Sequence, residues 1–125
     1  MVKVSVSKQL NYPVSSPKIK RGIKEFFVKH GVVSDAEVSV AIVGEKKMMD
    51  IGKKFLKDGQ LHNVLSFEAG GKFEYPPDGK IHLGEIVVCY PVAVNEAKME
   101  NKLIDDKVYE LVEHGAGHLL GIHHT

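Results

Sequence analysis

The 125 residues are enough for one domain with a sizeable core and too few for two, since a chain of this length buries roughly two-thirds of its unfolded surface. Its 43% hydrophobic and 26% charged residues are ordinary for a soluble globular protein, and 17 basic against 16 acidic side chains exclude a strongly basic arm or an acidic tail, so any nucleic-acid surface is a local patch. The single cysteine, Cys89, excludes an internal disulfide, and no apolar run approaches the ~18 residues of a membrane span, so the expectation is one cytoplasmic domain over residues 1–125 with no membrane or disulfide-linked partner.

Val2, Val4 and Val6 alternate with Lys3 and Ser5, the pattern of a half-buried strand. A helix follows, with Ser16 predicted as its N-cap, Pro17 at the first helical position and Gly31 past its end. Its apolar stripe is Ile19, Ile23, Phe26 and Phe27, and His30 in the last turn complements the helix dipole. Residues 37–44 read as a strand, and apolar residues at both parities predict cover on both faces.

Residues 45–57 are predicted as a second helix, with Met48, Met49, Ile51, Phe55 and Leu56 on one side. Lys46, Lys47, Lys53, Lys54 and Lys57 gather on the other. A solvated face accounts for them most simply, and a phosphate-contacting surface is the sharper alternative. A short strand spans residues 63–67, a loop or hairpin rich in Gly and Pro spans 68–80, and an apolar strand spans 83–90. Pro91 opens a helix, and a last helix over residues 105–120 carries the stripe Val108, Leu111, Val112, Gly115 and Leu119. The order β-α-β-α-β-β-α-α predicts an α+β fold, a small mixed sheet with helices packed on it.

The chemistry concentrates at the end of the chain. His114 and His118 are one helical turn apart, so both rings can reach one point beside the helix. Gly121 is where the helix should stop and reverse, which can bring His124 under the same point. Three imidazoles with an open fourth position form the layout of a catalytic zinc site, and nitrogen donors argue against magnesium or calcium. Three histidines and a glycine at these offsets arise by chance in about two in a thousand chains of this composition, so the metal reading outweighs a satisfied core pair.

The spacing is that of the long zinc-protease motif, with Gly115 where those enzymes carry the glutamate that acts as general base. Peptide hydrolysis by that route is therefore disfavoured, and phosphodiester cleavage stays open. The absent side chain is read as leaving space beside the metal for a bulky group. Glu113 points away from His114, whereas Glu110, one turn before it, is placed to hydrogen-bond it.

The segment HGAGHLLGIHH resembles the H-G-x-x-H-L-x-G-x-x-H signature of the YbeY-type rRNA-maturation endoribonucleases. Asn63-Val64-Leu65-Ser66-Phe67 and Leu83-Gly84-Glu85-Ile86-Val87-Val88 are similar to two further stretches of that family. The resemblance implies a fold like a minimal zincin-like metallohydrolase and one zinc ion on His114, His118 and His124. It also implies a single-strand-specific endoribonuclease acting in 16S rRNA 3′-end maturation and ribosome quality control, with the small ribosomal subunit as partner. His123 replaces the family's usual aspartate and competes with His124 as third ligand, and Leu56 stands where an arginine is common. Attack by activated water or by an adjacent 2′-hydroxyl both stay open, as does the oligomeric state.

Among weaker candidates, Ser66 could touch substrate from its strand, or simply bond backbone. Lys46, Lys53, Lys54 and Lys57 could contact phosphates. His62 and His82 flank strands and could line a cleft. Two rivals to the nuclease are a non-catalytic, zinc-stabilised ribosome-assembly factor and, against Gly115, a zinc metalloprotease.

Overall fold

The computed structural model describes residues 1–9, 11–69 and 81–121. Strand β1 (Val2–Lys8) leads through helix α1 (Ser16–Lys29) to β2 (Ala36–Val43). Helix α2 (Glu45–Ile51) runs into a π-helical turn (Gly52–Leu56), then come β3 (Val64–Glu68), β4 (Ile81–Cys89), α3 (Tyr90–Glu100) and α4 (Ile104–Leu119). The sheet order is β1-β2-β4-β3, with β1, β2 and β4 mutually parallel and β3 antiparallel to β4. The α+β fold expected from the element order is therefore the one observed.

Alternation divides the sheet into two faces. Val4, Val38, Val40, Ile42, Ile86 and Val88 point to the face on which α1 and α4 pack, where Ile19, Ile23, Phe27, Val108 and Val112 complete the main core. Phe67, Val87 and Cys89 point to the other face and meet Met48 of α2 in a smaller core. The second face of β2 is only half-buried, so the predicted two-sided cover of that strand is incomplete.

Local chemistry sets the helix ends. Ser15, not Ser16, caps α1: its hydroxyl accepts from the Lys18 N–H at 3.3 Å, and Pro17 sits one position deeper than expected. The Gly31 and Val32 N–H groups return to the Val28 and Phe27 carbonyls, which closes α1 at His30. The His30 ring also bonds the Phe26 carbonyl, a structural role as expected.

The second helix departs from its prediction after Ile51. The Lys57 N–H reaches back five residues to the Gly52 carbonyl, and the wider turn rotates later side chains out of the α-helical stripe. Leu56, expected on the apolar side, is therefore 43% exposed. Met99, one of the apolar residues of the Pro91 helix, is exposed. The Gly- and Pro-rich connection of residues 70–80 lies outside the described residues.

Candidate metal centre

Helix α4 presents both histidines as the spacing predicts. The His114 and His118 rings lie side by side, their centroids 4.3 Å apart, with His114 exposed and His118 half-buried. The opposite side of the helix anchors them, because Val108, Val112 and Ala116 are wholly buried. A Cβ at Gly115 would lie 2.8 Å from Ile86 Cγ2 of β4 and 3.6 Å from Val64 Cγ2 of β3. Gly115 thus faces the sheet, so its missing side chain makes room for Ile86 rather than for a group beside the histidines.

Further along, Leu119 packs against Gly84 of β4, where a Cβ would come within 2.7 Å of Leu119 Cδ2. The helix ends one residue later. Gly121 adopts φ +80, and its N–H returns to the His118 carbonyl at 3.0 Å, so the helix stops where expected. His123 and His124 lie outside the described residues, and among those described no group of three or more donor side chains could hold a metal ion. The donor type of the pair fits a borderline-soft cation: two imidazoles, one turn apart and in ring contact, with His123 and His124 following in the sequence.

The nearby carboxylates are engaged elsewhere. Glu110, expected to support His114, instead bonds the ammonium groups of Lys102 and Lys107, which hold its carboxyl below the usual range. Glu113 accepts from the Tyr109 hydroxyl, and burial followed by the Glu113 charge pushes that phenol up to about 12. Neither is placed as a general base for the histidine site.

The remaining candidates divide by face. Ser66 shares the face of Val64, sits opposite Ile86 in the β3–β4 register and is half-buried, which places it on the α4 side. Lys46, Lys53, Lys54 and Lys57 ride on α2 and the turns that follow it, behind the sheet from α4, so the structure does not bring them to the histidines. Lys54 and Lys47 instead border a cavity of about 310 Å³ over Phe55, Glu85 and Val87. His62 is half-buried and hydrogen-bonded to Asp58 at 3.0 Å, and His82 lies in β4 opposite Glu37.

Residue patterning missed a polar cluster. Asn63 bonds Glu96 of α3 at 3.2 Å, and Glu96, Glu100 and Glu110 surround the buried Lys107 of α4. Burial alone would push the Lys107 ammonium down, but the three carboxylates outweigh it and hold the group charged. Only its i,i+3 partner Glu110 is visible in the local sequence.

A four-stranded mixed sheet under helix α4 with its paired imidazoles defines an α+β protein. A family model described as Endoribonuclease YbeY matches residues 5–125, and the chain belongs to that family. It is 34% identical over 112 residues to the endoribonuclease YbeY of Wigglesworthia glossinidia brevipalpis, covering 89% of this chain and 70% of that one. It is 29% identical over 121 residues, with the same coverage, to that of Dehalococcoides mccartyi. The solution structure of TM1509 from Thermotoga maritima shares the fold, with a TM-score of 0.59 over 98% of this chain and 75% of that one at 22% identity. No helix among the described residues is long and apolar enough to cross a membrane.

Proposed function

We propose that this protein is a zinc-dependent, single-strand-specific endoribonuclease working as one cytoplasmic domain in 16S rRNA 3′-end maturation and ribosome quality control. The observation that carries the reading is the adjacent His114–His118 pair on α4, in a chain that belongs to a family named for endoribonuclease activity. His114, His118 and, by spacing, His124 would hold one zinc ion. When bound, zinc supplies polarisation of a phosphodiester and a lowered pKa for the attacking group.

The chain's own residues do the positioning. Gly121, with φ +80, ends α4 just past His118, Leu119 against Gly84 fixes that end of the helix, and Ser66, on the same side of the sheet, would be available for substrate contact. Lys46, Lys53, Lys54 and Lys57 would meet RNA only where it leaves that face.

A protease is disfavoured by the packing, since a glutamate at position 115 would have to displace Ile86. Leu56, apolar and exposed where the family commonly carries an arginine, favours one second reading: an assembly factor in which zinc only pins the tail. Incubating zinc-loaded protein and a His118→Ala variant with end-labelled single-stranded RNA separates them. Cleavage by the first, lost at least 100-fold in the second, is expected. No cleavage by either would leave the assembly factor, and equal cleavage by both would trace the activity to another nuclease.

A further inference from the structure

Strand β1 ends the sheet, and its outer edge is paired with nothing among the described residues. The Ala36 N–H bonds the Met1 carbonyl at 3.2 Å, in the parallel register that sets Val2 opposite Ala36. Successive residues of a strand direct their backbone polar groups to opposite sides, so Lys3, Ser5 and Ser7 bond β2 as Met1 does. Val2, Val4 and Val6 therefore turn their N–H and C=O groups outward, to the unpaired edge.

Helix α1 overhangs that edge. One flank of the helix meets α4, where Gly22 lies against the Tyr109 ring and Lys18 bonds Asp106 at 2.7 Å. Lys20, Arg21 and Lys24 lie on the other flank, facing away from α4. With Pro17 they roof an open hollow of about 600 Å³ whose floor includes Met1, Val2 and Val4. None of the three cations forms an ion pair or hydrogen bond among the described residues. At i, i+1 and i+4 they repel one another unless an outside partner offsets them.

An added strand would meet both features at once. Its backbone would pair with Val2, Val4 and Val6, and every second side chain would enter the hollow under α1. Lys20 and Lys24 stand about 6 Å apart along the helix axis. Alternate residues of a strand are roughly 6.6 Å apart, so acidic residues at every second position match the cations in sign and in spacing. A second copy of β1 matches in neither respect. Antiparallel pairing, edge to edge, would set one cationic α1 flank against another.

We propose that the β1 edge is a docking site for an extended acidic segment of a partner protein, added as a fifth strand with its carboxylates under Lys20, Arg21 and Lys24. Neither zinc nor RNA enters this contact. The test is fluorescence anisotropy of a labelled octapeptide alternating Glu and Thr, titrated with the full chain at low salt. The expected result for Lys20→Gln/Arg21→Gln/Lys24→Gln is a loss of affinity of about 10-fold or more, whereas Lys20→Arg/Lys24→Arg should bind as the parent does. Methylating every peptide nitrogen keeps the charge, removes the backbone donors and should also cost about 10-fold or more. Amide exchange followed by NMR should show the Val4 and Val6 N–H groups slowed about 10-fold or more by the peptide, with Ser5 and Ser7, already bonded to β2, unchanged.

No binding at low salt, or equal binding of the methylated peptide, would overturn the added strand. Slow Val4 and Val6 exchange without peptide, in a parent that sediments as a dimer, would assign the edge to a second copy instead. Peptide binding that single-stranded RNA displaces, with no slowing of Val4 and Val6 exchange, would leave the cations to a phosphate backbone and overturn the proposal as well.

Discussion

Gly115 and Gly84 decide how closely α4 lies on the sheet. Added methyl groups would meet Ile86 at 2.8 Å in the first case, and in the second the Phe67 carbonyl oxygen at 2.3 Å with φ at +142. A side chain such as Ile86 can shift a little, whereas a strand carbonyl cannot, so the two substitutions should differ. Gly115→Ala is expected to cost about 1–3 kcal/mol by overpacking, and Gly84→Ala more, because a strained φ adds to the clash. Urea unfolding midpoints of the two variants check this, and an unchanged midpoint for either would refute the close approach. Gly115 carries a lesson about reading glycine. Its place in the apolar stripe with Val108, Leu111 and Val112 already pointed it at the core, and that signal was sounder than the analogy that set it beside the metal.

At the scale of elements, α3 and α4 are joined by the cluster around Lys107, whose side chain is only 6% exposed. Glu100 and Glu110 are held below the usual carboxylate range, first by hydrogen bonds from Lys107 and Lys102. A depressed folded-state pKa means the unfolded chain binds more protons in acid. Their stabilising contribution is therefore full above the ordinary value of 4.5 and is lost as pH falls through the lower folded values. Lys107→Met leaves three carboxylates facing one another and should destabilise the fold by about 2 kcal/mol at neutral pH, less than a fully buried broken pair because the acids are partly solvated. The penalty should shrink below pH 4.5 as those acids protonate, which thermal unfolding across pH 3–7 would show; a penalty independent of pH would point to lost packing instead.

Little of this cluster was legible beforehand, because two of the three acids come from a neighbouring helix. The π-turn was equally hidden. The periodicity of residues 45–57 reads as one α-helix, and only the five-residue return from Lys57 to Gly52 shows why Leu56 leaves the stripe.

For the whole molecule, the element order and the histidine helix were readable, and the arrangement of elements around the sheet was not. Handedness rules constrain α1, which joins the parallel strands β1 and β2. No such rule governs α2, because its chain enters antiparallel β3 before returning through β4. Whether its lysines faced the histidines was thus undetermined until Met48 was found against Phe67, Val87 and Cys89 on the far side. The spacing His114, His118 and Gly121 could be read because it depends only on local helix geometry. The third imidazole depends on the path taken after Gly121.

Cys89 in that far-side core turns the molecule into its own stopwatch. It is the sole thiol, wholly buried, and burial also pushes its pKa up, so a thiol reagent must wait for the protein to open. Labelling at pH 8 should run at least 1,000-fold slower than for the urea-unfolded chain, followed by mass spectrometry, and prompt labelling would contradict the packing. If zinc at the α4 tail secures the whole fold, adding it will slow the clock in step with occupancy. If zinc secures the tail alone, the clock will keep its rate, and the two faces of the sheet will have been shown to open independently.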